Sequence, residues 1–366
     1  MTDQPPTVLG DAEVARDAFA VSDGTLEHLA RVWTDTAGFC ATVFAALGDQ
    51  LGYWRALDGH ALDPDQLAEA TGTQPRYARE WAYGMVAAGY LDRDADGRLL
   101  LSPDLAPVLA EPAGIVSAGG VHEMLLGLVS TYPQLVRSMR EGGGVGPGDY
   151  HPSAWSGLDR FSASTFEHQL LRWITDIDGL HQQLEEGCRV VDIGCGHGRA
   201  AIRLAQAYPR STFVGLDLFA PVVEQARRLA DEAGVADRVS FLVADAADPL
   251  PAADLVTSFD VLHEADDPRA MALAVRAALR PGGHWLVMEV NCAAEPEGNR
   301  GPLGTMLYGY SLMFCLTTTL ARDGIGLGTC GVTGELFAEL ARVAGFSSVA
   351  ADLPDHPFHR LHLAIA

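Results

Sequence analysis

The sequence predicts an α/β fold, a largely parallel sheet flanked by helices and preceded by a mainly helical N-terminal domain. Two observations carry that prediction. Residues 190–193 form an apolar run that ends in the glycine turn Gly194-Cys195-Gly196-His197-Gly198 and is followed by a helical pattern. Strand, glycine turn and helix in that order place backbone N–H groups where a nucleotide-like ligand can approach closely. Downstream, short apolar runs alternate with helical segments, the pattern of βα units.

Each element follows in order. The second strand, 212–217, ends in Asp217, nineteen residues after Gly198, near the ~20-residue offset of a ribose-binding carboxylate. Pro221 opens a helix to about residue 233, where its missing N–H costs nothing. The third strand, 239–243, precedes Asp245 and Ala246; the Asp245 carboxylate can accept from an adenine amino group while the Ala246 N–H donates to the ring. The fourth strand, 254–259, runs into Asp260-Val261-Leu262-His263-Glu264, and Leu279-Arg280-Pro281-Gly282-Gly283 turns a helix into a fifth strand, 284–290. His359 and His362 are expected on opposite faces of a last, antiparallel strand rather than in a metal cluster with His356. Position 199 is Arg, where a dinucleotide site would place Gly or Ala. That departure points away from NAD and toward S-adenosylmethionine, which has no pyrophosphate to cradle. Asp192, Gly194, Cys195, Gly196, Asp217, Leu218, Asp245, Ala246, Phe259 and Asp260 are the candidate cofactor contacts.

Asp-Ile-Gly-Cys-Gly-x-Gly, Asp217, Asp245 and Leu-Arg-Pro-Gly-Gly, in this order and spacing, resemble the Rossmann-like S-adenosylmethionine-dependent methyltransferases across about residues 186–366. The resemblance implies a seven-stranded sheet and S-adenosylhomocysteine as product. In related O-methyltransferases a Leu-His-Asp segment after the fourth strand supplies a general base. Here the segment is Leu262-His263-Glu264, which makes His263 the candidate base; Glu264 stands in place of that Asp, and Glu264 or Asp267 is expected to hold the other ring nitrogen.

The N-terminal third reads as a winged helix over 36–112, behind an arm of residues 1–35. An apolar helix spans 36–57. Asp63-Pro64 with Gln66 forms a capping box that opens a second helix ending at Gly72. Pro75-Arg76-Tyr77-Ala78-Arg79-Glu80-Trp81 begins a third, and 92–101 makes a hairpin turning at Asp96-Gly97. Between residues 36 and 110 stand ten acidic residues and five arginines, which argues against DNA as its partner. The winged helix joined to this catalytic domain resembles a bacterial group of small-molecule methyltransferases and implies a homodimer through the N-terminal domain.

Residues 113–185 are expected to form a helical linker and lid. The run Gly142-Gly143-Gly144-Val145-Gly146-Pro147-Gly148 is read as a hinge, a disordered loop or a tolerated surface loop. Tyr150, Phe166, His168 and Trp173 are candidates for the pocket wall. A second insertion, 303–320, is unusually apolar and is a candidate roof, with Met306, Tyr310, Met313 and Phe314 toward the substrate; His359 is a further edge residue. Such a roof would suit an apolar or aromatic acceptor.

Composition narrows the chemistry. All 25 basic residues are arginine, so Schiff-base, pyridoxal and phosphate-loop lysine chemistry are excluded. A net charge of −23 disfavours a polyanionic partner. Six cysteines without a Cys-x-x-Cys pair suit reduced thiols in a cytoplasm. No apolar run spans a bilayer, the N-terminus is not that of a signal peptide, and no ligand spacing announces a metal. The leading expectation is methyl transfer to a hydroxyl of a small molecule in secondary metabolism; N- or C-transfer and a DNA-binding sensor are the alternatives.

Overall fold

The computed structural model describes residues 18–353 and 358–366 and divides the chain into two units, one up to His122 and one from Glu123 onward. Seven strands of the second unit form one sheet: β3 (Arg189–Ile193), β4 (Thr212–Asp217), β5 (Val239–Val243), β6 (Ala253–Phe259), β7 (Leu279–Val290), β8 (Ser348–Leu353) and β9 (His359–Ile365). Their order is β5-β4-β3-β6-β7-β9-β8, with β9 antiparallel to both neighbours. The order reverses at β3, whose partners are β4 on one side and β6 on the other. In an open α/β sheet the crevice beyond the strand ends at such a switch point is where ligands bind.

Burial explains the strand sequences. β3 and β6 are almost wholly buried and nearly continuous in apolar residues, because helices cover both faces of the sheet. One core lies around Val190, Phe213, Phe241 and Leu255, and the other around Val191, Val256, Trp285 and Phe337. The helix Arg199–Ala207 buries Ala200, Ala201, Ile202, Leu204 and Ala205, one apolar stripe against the sheet. Successive strand residues point to opposite faces, so β9 sends His359 toward Trp173 and His362 onto Phe337. The expected opposition of these two histidines is thus found; His356 lies outside the described residues.

Two boundaries differ from the sequence reading. β7 starts at Leu279 rather than His284, since Leu279 already pairs with Ala253 before a register shift. The N-terminal helix is not 36–57: it runs Asp23–Gln50 from a Ser22 cap, and Gly52 at φ 78° separates it from Tyr53–Leu57. The segment expected as a helical linker includes the helices Gly119–Val129 and Tyr132–Glu141.

Within the first unit, Asp63 caps Pro64–Thr71 through a capping box, Gly72 closes that helix, and Pro75–Ala87 follows. β1 (Asp92–Arg93) and β2 (Leu99–Leu100) pair as an antiparallel hairpin. Trp54 and Trp81 form the centre, their indole N–H groups donating to the carbonyls of Ala45 and Phe44 at 2.9 and 2.7 Å. No described helix is long and apolar enough to cross a membrane.

Candidate active site

The glycine turn is built by backbone conformation. Gly194, Gly196 and Gly198 adopt φ of 63°, 50° and 74°, where a side chain would be strained. A Cβ on Gly194 would lie 2.4 Å from Val261, whereas the space above Gly196 is open to 4 Å. Asp217, at the end of β4, accepts from the N–H of Gly196 and of Phe219, each at 2.9 Å. A carboxylate offers about four lone-pair directions, so two remain after these bonds. Burial raises the Asp217 carboxyl above its ordinary range, against the lowering effect of those two N–H groups.

Asp192 lies one strand over, fully enclosed, and accepts from the Thr257 hydroxyl at 2.6 Å. Burial pushes its pKa up to about 7. Asp245 is turned back on its own chain, accepting from Ala247 N–H at 2.8 Å. Asp260, just past β6, is a non-glycine residue at φ 55°. Its Oδ1 is buried with no hydrogen-bond partner among the described residues. Strain and an unsatisfied acceptor at the end of a strand mark a place prepared for a ligand. Phe259 is buried, Cys195 and Ala246 are partly buried, and Leu218 is exposed.

His263 stands in a short 3-10 turn, Leu262–Glu264, and is 2% exposed. Its Nδ1 lies 2.5 Å from Glu289 Oε2, while Glu289 Oε1 accepts from Leu262 N–H at 2.8 Å. Burial opposes a charge on His263, yet the adjacent Glu289 carboxylate outweighs it and raises the histidine well above its ordinary range. Glu264 does not hold the ring as expected: Glu289 takes Nδ1, and Glu264 Oε1 lies 3.7 Å from Nε2, beyond hydrogen-bond distance. Burial raises the Glu264 carboxyl. Asp267 does not take part as expected: it caps the helix Pro268–Ala278, accepting from Arg269 and Ala270 N–H. The Asp-Pro sequence is an N-terminal cap signal, and the free helix N–H groups claim the carboxylate.

Sequence reasoning missed both Glu289 and Cys315. Glu289 is wholly buried in β7; its signal was a carboxylate inside the apolar run Trp285-Leu286-Val287-Met288, a position that demands a buried partner. Cys315 reaches His263 from the apolar insertion, and nothing local in the sequence marks it.

The candidate substrate residues separate into three sets. Tyr150, Tyr310, Met313 and Phe314 belong to one apolar cluster, with Tyr150 Oη donating to the Met313 carbonyl at 2.6 Å. Trp155 joins that cluster to the glycine-turn side, packing on Phe314 and, at 4.6 Å between ring centres, on Phe219. Met306 and His168 are exposed and do not belong to the cluster. His359 is buried against Trp173, its Nε2 3.6 Å from Asp260. Arg199, the residue that departs from a dinucleotide pattern, forms a bidentate pair with Asp159 at 2.7 and 2.6 Å. That pair ties the helix Pro152–Thr165 to the glycine turn.

The glycine run is not a free loop. Gly144 packs so closely that a Cβ would fall 1.8 Å from the Thr317 carbonyl oxygen. Val145 N–H donates to both the carbonyl and the hydroxyl of Thr317.

Residues 184–305 match the family model described as a methyltransferase domain. The chain is 34% identical over 139 residues to 27-O-demethylrifamycin SV methyltransferase of Amycolatopsis mediterranei, 37% of this chain and 50% of that protein. It thus spans about half the length of the curated relatives it matches. The structure of a mitomycin 7-O-methyltransferase superposes with a TM-score of 0.65 at 21% identity, covering 94% of this chain and 100% of the other. Human N-acetylserotonin methyltransferase, solved in complex with S-adenosylmethionine, gives 0.64 at 20% identity, covering 92% and 96%. The match to the methyltransferase-domain model covers a third of the chain, and the fold is shared with these solved methyltransferase structures.

Proposed function

We propose that this chain is an S-adenosylmethionine-dependent O-methyltransferase acting on a small, apolar or aromatic acceptor, with His263 as general base. The observation that carries the reading is the His263–Glu289 pair beside a glycine turn whose Asp217 keeps two acceptor directions free. The residues fit the cofactor: Gly196 leaves open space, Asp217 and Asp245 are carboxylates suited to ribose hydroxyls and an adenine amino group, and Asp260 carries an orphaned buried oxygen. When bound, S-adenosylmethionine supplies a methyl group already activated on a sulfonium.

The chain's share is then orientation and proton transfer. Trp155, Tyr150, Tyr310, Met313 and Phe314 offer an aromatic wall that would position a flat acceptor and exclude water. His263 takes the acceptor's hydroxyl proton on Nε2 from its neutral form, which the Glu289 carboxylate makes the minor form until pH exceeds the histidine's raised range. Glu289 fixes the ring through Nδ1 and compensates the imidazolium that forms. Holding the reactants aligned can supply ~7–11 kcal/mol of the barrier reduction.

The first unit serves, in this reading, as a winged helix for homodimer formation. Its support is an exposed apolar row on the helix Asp23–Gln50, with Val32, Phe39 and Leu47 recurring about every two turns. DNA contact is disfavoured by Arg76 and Arg79, which pair with Glu80 at 2.5 Å and Asp65 at 2.8 Å. A cytoplasmic setting agrees with six free cysteines.

The test is transfer of an isotopically labelled methyl from S-adenosylmethionine into a small-molecule extract of the source cells, with the Asp217→Ala protein as control. Label in one metabolite, absent with the variant, is expected. Label found only in nucleic acid or protein would overturn the reading.

A further inference from the structure

Cys315 has no part in the proton transfer, yet its sulfur joins His263 and Glu264 in one cluster. One donor atom from each of the three residues lies within 4.8 Å of the others, and Nε2 of His263 is 3.7 Å from Glu264 Oε1. Tetrahedral zinc, with bonds of about 2.0–2.3 Å, holds its donors about 3.4–3.6 Å apart. Bringing donors at that limit to such a spacing is a contraction of about 1.2–1.4 Å.

Outer contacts of the kind that orient metal ligands are also in place. The Nδ1 of His263 sits against the Glu289 carboxylate at 2.5 Å, which fixes the ring with Nε2 turned toward Glu264 and Cys315. The Thr329 hydroxyl donates to Cys315 Sγ at 3.1 Å, a bond that favours the thiolate. His263 and Cys315 are both buried.

We propose that His263 Nε2, the Glu264 carboxylate and the Cys315 thiolate form a binding site for one divalent cation of the zinc type. A nitrogen, oxygen and sulfur set selects zinc over magnesium or calcium, and three protein ligands leave a tetrahedral ion one further position. The metal–sulfur bond forms as the Cys315 thiol gives its proton to solvent. No electrons are exchanged. The ion occupies the lone pair on Nε2, so the loaded enzyme has no base at that atom. Zinc is therefore an inhibitor, an effect that rests on the general-base reading; binding itself does not.

The experiment uses the full-length, chelator-treated protein and titrates it with cobalt(II) alone, without cofactor or acceptor. One cobalt per chain is expected, with a thiolate-to-metal charge-transfer band that zinc abolishes by displacement. Cys315→Ser is expected to lose that band and to weaken zinc binding by more than ~100-fold. Because that variant replaces a buried thiol, Glu264→Gln is the second probe. It should weaken zinc by at least ~10-fold and keep the band at saturating cobalt. Cys40→Ser, on the exposed face of Asp23–Gln50, should bind as the parent does. Absence of stoichiometric binding, or a charge-transfer band that survives in Cys315→Ser, would overturn the site. A missing methyl acceptor changes none of these readings.

Discussion

Asp192 places a carboxyl in the middle of the sheet, where burial moves its pKa from 3.8 to about 7. Between those values the folded chain holds a proton that the unfolded chain releases. Stability therefore falls as pH rises from about 4 to about 7 and is flat above it, for this group's share. Urea unfolding at pH 5 and 7.5 should show a smaller loss in Asp192→Asn than in the parent; equal losses would mean the residue titrates normally. At the same scale, His263→Ala is expected to lower kcat by ~100-fold or more while the affinity for S-adenosylmethionine, read by calorimetry, stays within about twofold. Turnover equal to the parent's would remove His263 from the proton transfer.

Two elements meet where Gly144 lies on the backbone of the helix Leu316–Leu320. A methyl group there would overlap the Thr317 carbonyl oxygen, which backbone cannot yield as a side chain can. Gly144→Ala should destabilise the chain by about 1–3 kcal/mol or more, read as a lower urea midpoint, whereas Gly148→Ala, with open space around it, should be near neutral. Equal midpoints for the two would show that the contact is not kept in solution. The same meeting explains why a glycine-rich run can resemble a hinge in sequence: glycine permits mobility, but it also permits close approach, and the two uses look identical along the chain.

For the whole molecule, a surface of net charge −23 and a row of exposed apolar residues on Asp23–Gln50 make opposite demands on association. Charge repels copies at long range, while burying Val32, Phe39 and Leu47 favours them at contact. Sedimentation equilibrium should give a dimer, strengthened by salt as repulsion is screened, and Phe39→Asp should shift it to monomer. A monomer at all salt concentrations would assign that row another use.

The α/β class, the glycine turn, Asp217 at the end of β4 and the strands β4, β5 and β6 within a residue were legible in the sequence, because each depends on local periodicity or on backbone conformations that glycine alone tolerates. Asp63 with Gln66 revealed a helix start for the same reason: a cap is satisfied within four residues. The pairing of His263 with Glu289, of Arg199 with Asp159, of Gly144 with Thr317 and of Cys315 with His263 joins residues 26 to 173 positions apart. Only the folded sheet, by bringing distant chain segments into one dry space, decides which buried charge meets which partner. Asp267 shows the limit from the other side: it was near enough in sequence to serve His263, and the helix N–H groups beside it took the carboxylate first.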